Sequence, residues 1–202
     1  MSSDPARYHH APYHHGDLPA TLVRSALELL EEGAADLSLR AVARRAGVAA
    51  SAPYRHYADK EALLSAVAGV GYRELADDLV AAHALPSTPD ELADVAVAYV
   101  RFALRRPALF RVMFGEPCDP SSPERVAATE AISAYVNAIA SRTFPGTDPE
   151  ALGTALWALV HGLAFLFLDG KLDSSSSESI DLRVRGAVHA VLAASQAMSA
   201  AR

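Results

Sequence analysis

The chain has 202 residues, 51% of them apolar and 21% charged, close to globular averages; this excludes a disordered or fibrous protein and leaves room for one or two domains. A lone cysteine, Cys118, excludes an intrachain disulfide framework, and the stretch before Leu18 lacks the apolar core of a signal peptide, so a cytoplasmic location is expected. Net charge is −6, from 18 basic and 24 acidic residues, yet residues 1–60 carry seven of each, and from Leu39 to Lys60 five cations (Arg40, Arg44, Arg45, Arg55, Lys60) face Asp59 alone. An anionic partner would therefore meet the N-terminal quarter.

Apolar positions recur at three and four with no sustained period-2 alternation, which predicts an all-helical fold. Residues 1–16 read as a polar arm. Asp17 suits the cap of a first helix with Leu22, Ala26, Leu29 and Leu30 on one stripe, and Gly33 suits a left-handed stop. Ser38 caps a short second helix, Leu39 to Ala46; Gly47 breaks it, and a third short helix is expected from about Ala50 to Tyr57. Asp59 caps a long helix from Lys60 to about Ala82. Prolines in the stretch 83–90 end it, and the next helix starts at Pro89 and reaches about Arg106. Pro107 opens a short helix that Gly115 closes.

After a loop, Glu124 to about Phe144 is expected to be helical, with Ile132, Tyr135, Val136 and Ile139 on one face. A helix from Pro149 to Leu168 contains the most apolar run, from Leu152. Gly153, Thr154, His161 and Gly162 interrupt that run, which falls short of the ~18 to 20 residues a membrane span needs, so it reads as a buried helix with no membrane contact. A serine-rich linker follows, then a last helix, about Ile180 to Met198, carrying Val184, Val188, Val191 and Leu192.

The string SLRAVARRAGVAASAPYRHY carries the most information. Two short helices joined by a tight turn need a small residue at their crossing, a glycine in the turn and apolar residues pinning both to a third helix. Ala43, Gly47 and Val48 occupy those places, with Leu39, Val42 and Ala46 facing the support. Two packed structural helices would satisfy the same pattern. In a helix-turn-helix, the second helix enters the DNA major groove, and here it offers Ser51, Ala52, Pro53, Tyr54, Arg55, His56 and Tyr57. Small residues at its start admit close approach, while Tyr54, Arg55 and His56 can donate to phosphate or base. Pro53, without an N–H, belongs in a first turn. Lys60 stands at a helix N-terminus, where the dipole disfavours a cation unless a phosphate sits there too.

The run YHHGDL followed by LSLRAVARRAGVAASAPYRHYADKEALLSAVA resembles the N-terminal DNA-binding domain of tetracycline-repressor (TetR) family transcription regulators, over about residues 13 to 70. Downstream, PALFRVMFG and WALVHG resemble the C-terminal regulatory domain of a subgroup named for its Trp, His and Gly, with Trp157, His161 and Gly162 in those positions. The resemblance implies a helix-turn-helix DNA-binding domain over 17–60 and a helical ligand-binding and dimerisation domain over 61–202. It places the family's phosphate-contacting tyrosine on Tyr54, the following basic and histidine positions on Arg55 and His56, and the helix-terminal lysine on Lys60. Arg40 and Arg44 join them as candidate DNA contacts. One departure is Ala49, where the family often has a capping Ser or Thr; Ser51 is the substitute within reach.

A regulator needs a sensor. Tyr99, Phe102, Phe110, Met113, Phe114, Tyr135, Trp157, His161 and Phe165 are spread over four expected helices and could line a largely apolar cavity or simply form core. Trp157 and His161 share a helix face, and no Ser or Asp neighbour suggests a catalytic triad. His9, His10, His14 and His15 invite a metal reading, but Pro12 breaks their alignment and no carboxylate or thiol stands at matching spacing, so a polar arm near phosphate is expected. Cys118 has acidic neighbours that disfavour a thiolate.

No phosphate loop, metal cluster or catalytic constellation is visible, so neither cofactor nor enzymatic activity is expected. The expected function is a homodimeric repressor released from a palindromic operator in double-stranded DNA by a largely apolar small molecule. An activator or ligand-independent regulator of the same fold, or a helical-bundle enzyme or carrier, remains an alternative. Dimerisation is assigned to the last two helices, through Phe165, Val184, Val188, Val191 and Leu192.

Overall fold

The computed structural model describes residues 17–34, 37–115, 122–143 and 148–200, and no strand occurs among them. His9, His10, His14, His15 and Cys118 lie outside the described residues. The helices are α1 (Leu18–Glu31), α2 (Leu39–Arg45), α3 (Lys60–Ala82), α4 (Pro89–Arg105), α5 (Pro107–Gly115), α6 (Pro123–Thr143), α7 (Pro149–Leu168) and α8 (Ser177–Ala200).

Local chemistry sets most boundaries. The Asp17 carboxylate accepts the Ala20 N–H (3.1 Å), Ser38 Oγ accepts that of Ala41 (3.3 Å), and Asp59 that of Ala62 (2.9 Å). At the start of α4, Thr88 and Glu91 cap each other's backbone reciprocally. Gly33 and Gly47 both stand at φ +69°, where a side chain would be strained, and each turns its helix off in the same way. After α2, Gly47 donates to the Arg44 carbonyl and Val48 to that of Ala43, which satisfies two orphan carbonyls.

The third helix differs from expectation. No α-helix forms between Gly47 and Asp59; the chain winds through tight turns with one 3₁₀ turn, Pro53–Arg55. Proline accounts for the start of this stretch only, being tolerated in a first turn; after it the Arg55 and His56 N–H groups close three positions back, on the Ala52 and Pro53 carbonyls. The Ala49 carbonyl would take the N–H of residue 53 in an α-helix, but Pro53 has none, so Ala52 N–H closes on it instead at 2.9 Å.

α1 packs on α2 and on α3, and Leu22, Ala26, Val42, Leu63 and Val67 of these helices belong to one buried cluster. The second half of α3 packs on α4, α5 and α6. α5 comes close enough to α3 that a Cβ on Gly71 would stand 2.5 Å from Met113 Sδ. Arg106, at the α4–α5 corner, pairs with Glu31 of α1 and Glu74 of α3, both at 2.9 Å.

α7 is not the enclosed helix its sequence suggests. Only Gly153, Leu163, Ala164 and Phe167 are buried, because α4 and α6 cover one side and leave the other open. Its 20 residues also meet the length and composition of a membrane span, which the run from Leu152 alone does not. α8 packs mainly on α4, and its apolar stripe turns inward: Val184, Val188 and Leu192 are buried, whereas Leu182 and Val191 are 73% and 44% exposed. Bidentate Arg101–Asp181 contacts at 2.6 and 2.9 Å, and an Arg185–Asp94 pair, fix that orientation. The residues expected at the subunit interface are thus divided, with only Val191 facing out and Phe165 half-buried at the edge.

Candidate nucleic-acid interface and effector cavity

The stretch between Gly47 and α3 presents its polar side chains outward. Tyr54 is 51% exposed, and Ser51, Arg55, His56 and Lys60 are exposed, as are Arg40 and Arg44 on α2. Ala52 and Tyr57 are half-buried and Pro53 is buried. Tyr57 is turned toward α1, with its hydroxyl 3.5 Å from the Pro19 carbonyl. Among the described residues, Arg40, Arg44, Arg55 and Lys60 have no ion-pair partner. Arg45 does: its guanidinium holds Glu32 through both carboxylate oxygens and lies 3.7 Å from Glu28. That pairing keeps the Glu32 carboxyl below its ordinary range and removes Arg45 from the cations available to a partner.

Farther along α3, the helices α3, α5, α6 and α7, with Tyr99 of α4, border an open-sided cavity of about 600 Å³. Tyr72, Leu75, Met113, Phe114 and Trp157 supply an apolar wall. Polar groups join them along the open side, Arg125, Thr129, Ser133 and Asn137 from α6, beside Ile132 and Val136, and Glu150 and Thr154 from α7. A narrower apolar crevice of about 70 Å³ adjoins it across Tyr99, Ile132, Val136 and Trp157.

Of the residues expected to line a cavity, Tyr99, Met113, Phe114 and Trp157 border the larger space, and Tyr135 borders the crevice with Tyr99 and Trp157. Phe102 is wholly buried and borders neither. Phe110, His161 and Phe165 stack behind them, His161 lying 4.7 Å from the Phe114 centroid and 4.9 Å from that of Phe165. Trp157 Nε1 donates to Tyr99 Oη (3.4 Å), and that hydroxyl lies 2.9 Å from His161 Nδ1. With the proton on Nε2 of a neutral imidazole, Nδ1 accepts the Tyr99 hydroxyl while that hydroxyl accepts from Trp157; with it on Nδ1, the ring donates to Tyr99 instead. Burial pushes the His161 pKa down and the Tyr99 pKa up, consistent with both neutral forms.

Sequence reasoning missed Tyr72, Leu75 and the polar stripe of α6. A signal was present, since Arg125, Thr129, Ser133 and Asn137 recur every four residues on one helix face. No group of three or more His, Cys, Asp or Glu side chains able to hold a metal occurs among the described residues.

Residues 22–67 match the family described as bacterial regulatory proteins, tetR family, and residues 92–191 match a tetracyclin repressor-like C-terminal domain. An "HTH-type transcriptional regulator" of Mycobacterium tuberculosis is 35% identical over 121 residues, 56% of this chain and 52% of that protein. The chain thus spans about half the length of the curated relatives it matches. Among solved structures, a protein of unknown function from Rhodococcus sp. RHA1 is 31% identical with a TM-score of 0.72, covering 90% of this chain and 98% of its own. A tetR-family regulatory protein from Rhodococcus RHA1 shares the fold at 22% identity and a TM-score of 0.62, with 85% and 95% coverage.

Proposed function

As the chain belongs to the tetracycline-repressor family of bacterial regulatory proteins, we propose that it is a homodimeric, cytoplasmic transcription repressor of the Trp-His-Gly subgroup, released from a near-palindromic operator by a small molecule. The observation that carries this reading is the outward set of Arg40, Arg44, Arg55 and Lys60 around an exposed Tyr54, cations left unneutralised by a chain that is acidic overall. Residues 17–60 form the DNA-reading unit and 61–202 the sensing and dimerisation body.

Tyr54, Arg55 and His56 meet phosphate or base edges, and Ser51 and Ala52 admit the groove. Arg40 and Arg44 hold flanking phosphates. Pro53 and Tyr57 act from within, Pro53 by shaping the turn and Tyr57 by anchoring it to α1. Lys60 adds its ammonium to the first N–H groups of α3, which suits a phosphate at that terminus. The open faces of α7 and α8, with Leu166 and Leu182 beside Gly162 and Gly186, form a two-fold four-helix interface that sets the reading units in successive major grooves, roughly 34 to 36 Å apart.

Release passes through α5. Its C-terminal end, Met113 and Phe114, borders the cavity, and Tyr72 Oη donates to the Met113 carbonyl at 2.8 Å. Its N-terminal corner reaches α1 through the Arg106–Glu31 pair. A ligand that displaces α5 therefore shifts α1 and, with it, the DNA-reading unit. The test is titration of the selected operator with wild-type, Tyr54→Ala and Lys60→Ala protein at several salt concentrations. Lys60→Ala should weaken all DNA sequences about equally and reduce the salt slope by about one. Unchanged affinity in both variants would remove this face from the DNA contact.

A further inference from the structure

A helix at the surface of a soluble protein ordinarily turns apolar side chains inward and polar ones to water. α6 follows that rule: Ile132, Val136 and Ile139 border the apolar crevice, while the adjacent stripe borders the larger, open-sided cavity with Arg125 and Thr129 half-buried and Ser133 and Asn137 exposed. Thr129 Oγ1 is satisfied within its own helix by the Arg125 and Val126 carbonyls, and Thr154 Oγ1 by the Glu150 carbonyl. Arg125 has no ion-pair partner among the described residues. Met113, Phe114 and Trp157 give the same cavity its apolar surface.

The two charges of the cavity lie at its two ends. Asn137 abuts the backbone of Gly153, where a Cβ would stand 3.0 Å from its side-chain oxygen, so the C-terminal part of α6 meets the first turns of α7, where Glu150 lies. Arg125 is twelve positions earlier on α6, roughly 18 Å along the axis at 1.5 Å per residue. That separation exceeds the roughly 8 Å screening length of physiological salt, so Glu150 does not cancel the attraction of Arg125 for an anion.

We infer that the effector is an amphipathic carboxylate, its apolar body seated on Met113, Phe114 and Trp157 and its headgroup on Arg125. This deepens the proposed ligand response and rests on it, and it revises the expectation of a largely apolar effector. A planar guanidinium is matched to a carboxylate by paired N–H donors, and a volume of about 600 Å³ is in the range of small-molecule sites.

The chain's single tryptophan, Trp157, borders the cavity, so its fluorescence reports occupancy directly. The full-length protein is titrated with three probes that share one alkyl body: decanoate, 1-decanol and decyltrimethylammonium. Decanoate should bind about tenfold or more tightly than decanol, and Arg125→Gln should abolish that margin while leaving decanol affinity unchanged. Glu150→Gln, the charge control, should keep the margin. Equal affinity of the three probes, a preference for the cation, no quenching by decanoate, or a margin that survives Arg125→Gln in a variant with normal melting would each overturn the carboxylate assignment. Adding the same probes to the operator complex separates the two readings. Arg125-dependent binding of decanoate that leaves the complex intact would contradict ligand release but not the ligand class; release by decanol or the cation, with decanoate inert, would contradict the class but not ligand release.

Discussion

The two sides of α8 make opposite predictions. Val188 is 3% exposed and packs within the chain, so Val188→Ala removes two methyl groups from the core. At about 0.8 kcal/mol per buried group the transfer loss is about 1.6 kcal/mol, and incomplete closure of the void brings the total to about 2 kcal/mol. For a chain of this size the midpoint of thermal unfolding should fall by roughly 4–8 °C. Leu182, 73% exposed, contributes within about 0.5 kcal/mol to the isolated chain, so Leu182→Glu should leave helical content intact. If its face is covered by a second subunit, however, the new carboxylate is desolvated there, and the dimer dissociation constant should rise by about 100-fold, equivalent to about 2.7 kcal/mol. Sedimentation velocity and circular-dichroism melts over a concentration series separate the two effects, because the melt of a dimer shifts with concentration and that of a dissociated chain does not. A monomeric, well-folded Val188→Ala variant, or a Leu182→Glu variant that stays dimeric at low concentration, would refute this division of the helix.

Because burial holds the folded-state pKa of His161 below its ordinary 6.5, the unfolded chain takes up its proton first as pH falls. The stability this histidine contributes is therefore complete above about pH 6.5 and is lost as pH falls through the lower folded value; His161→Gln should flatten that limb of a melting-temperature profile, and an unaltered profile would contradict the neutral Tyr99–His161 contact. Arg106→Met should keep operator affinity within about threefold, since the residue lies off the DNA face, yet blunt ligand release through loss of the pairs to Glu31 and Glu74. Full release in that variant, measured by fluorescence anisotropy of labelled operator, would take Arg106 out of the coupling path.

Features fixed by a residue and its near neighbours were legible in the sequence. The caps at Asp17, Ser38 and Asp59 and the stops at Gly33 and Gly47 each follow from local hydrogen bonding or backbone freedom, and the structure places them as expected. Features that depend on a distant neighbour were not. Helical periodicity states that Val184, Val188 and Leu192 share a stripe, but which surface covers it is decided by α4, almost a hundred positions earlier in the chain. In the same way, Arg45 counts as a free cation until α1 brings Glu28 and Glu32 beside it. The loss of a regular third helix was partly visible, since Pro53 signals a missing donor; that the Ala52 N–H takes over the Ala49 carbonyl follows only from the folded backbone. At the cavity, the aromatic residues drew notice by size while the α6 stripe did not, because polar side chains at helical spacing mark a solvated face, as Ser133 and Asn137 do here, and the sequence does not tell that Arg125 and Thr129 are half-buried.

The most direct test of DNA binding by a two-fold dimer is selection from a random double-stranded DNA library with the purified wild-type chain, followed by footprinting of the enriched sequence. The account predicts a near-palindrome whose half-site centres are separated by about one helical turn or a multiple of it, with enrichment lost in Tyr54→Ala. No enrichment by the folded protein, or protection of a single asymmetric half-site, would contradict it.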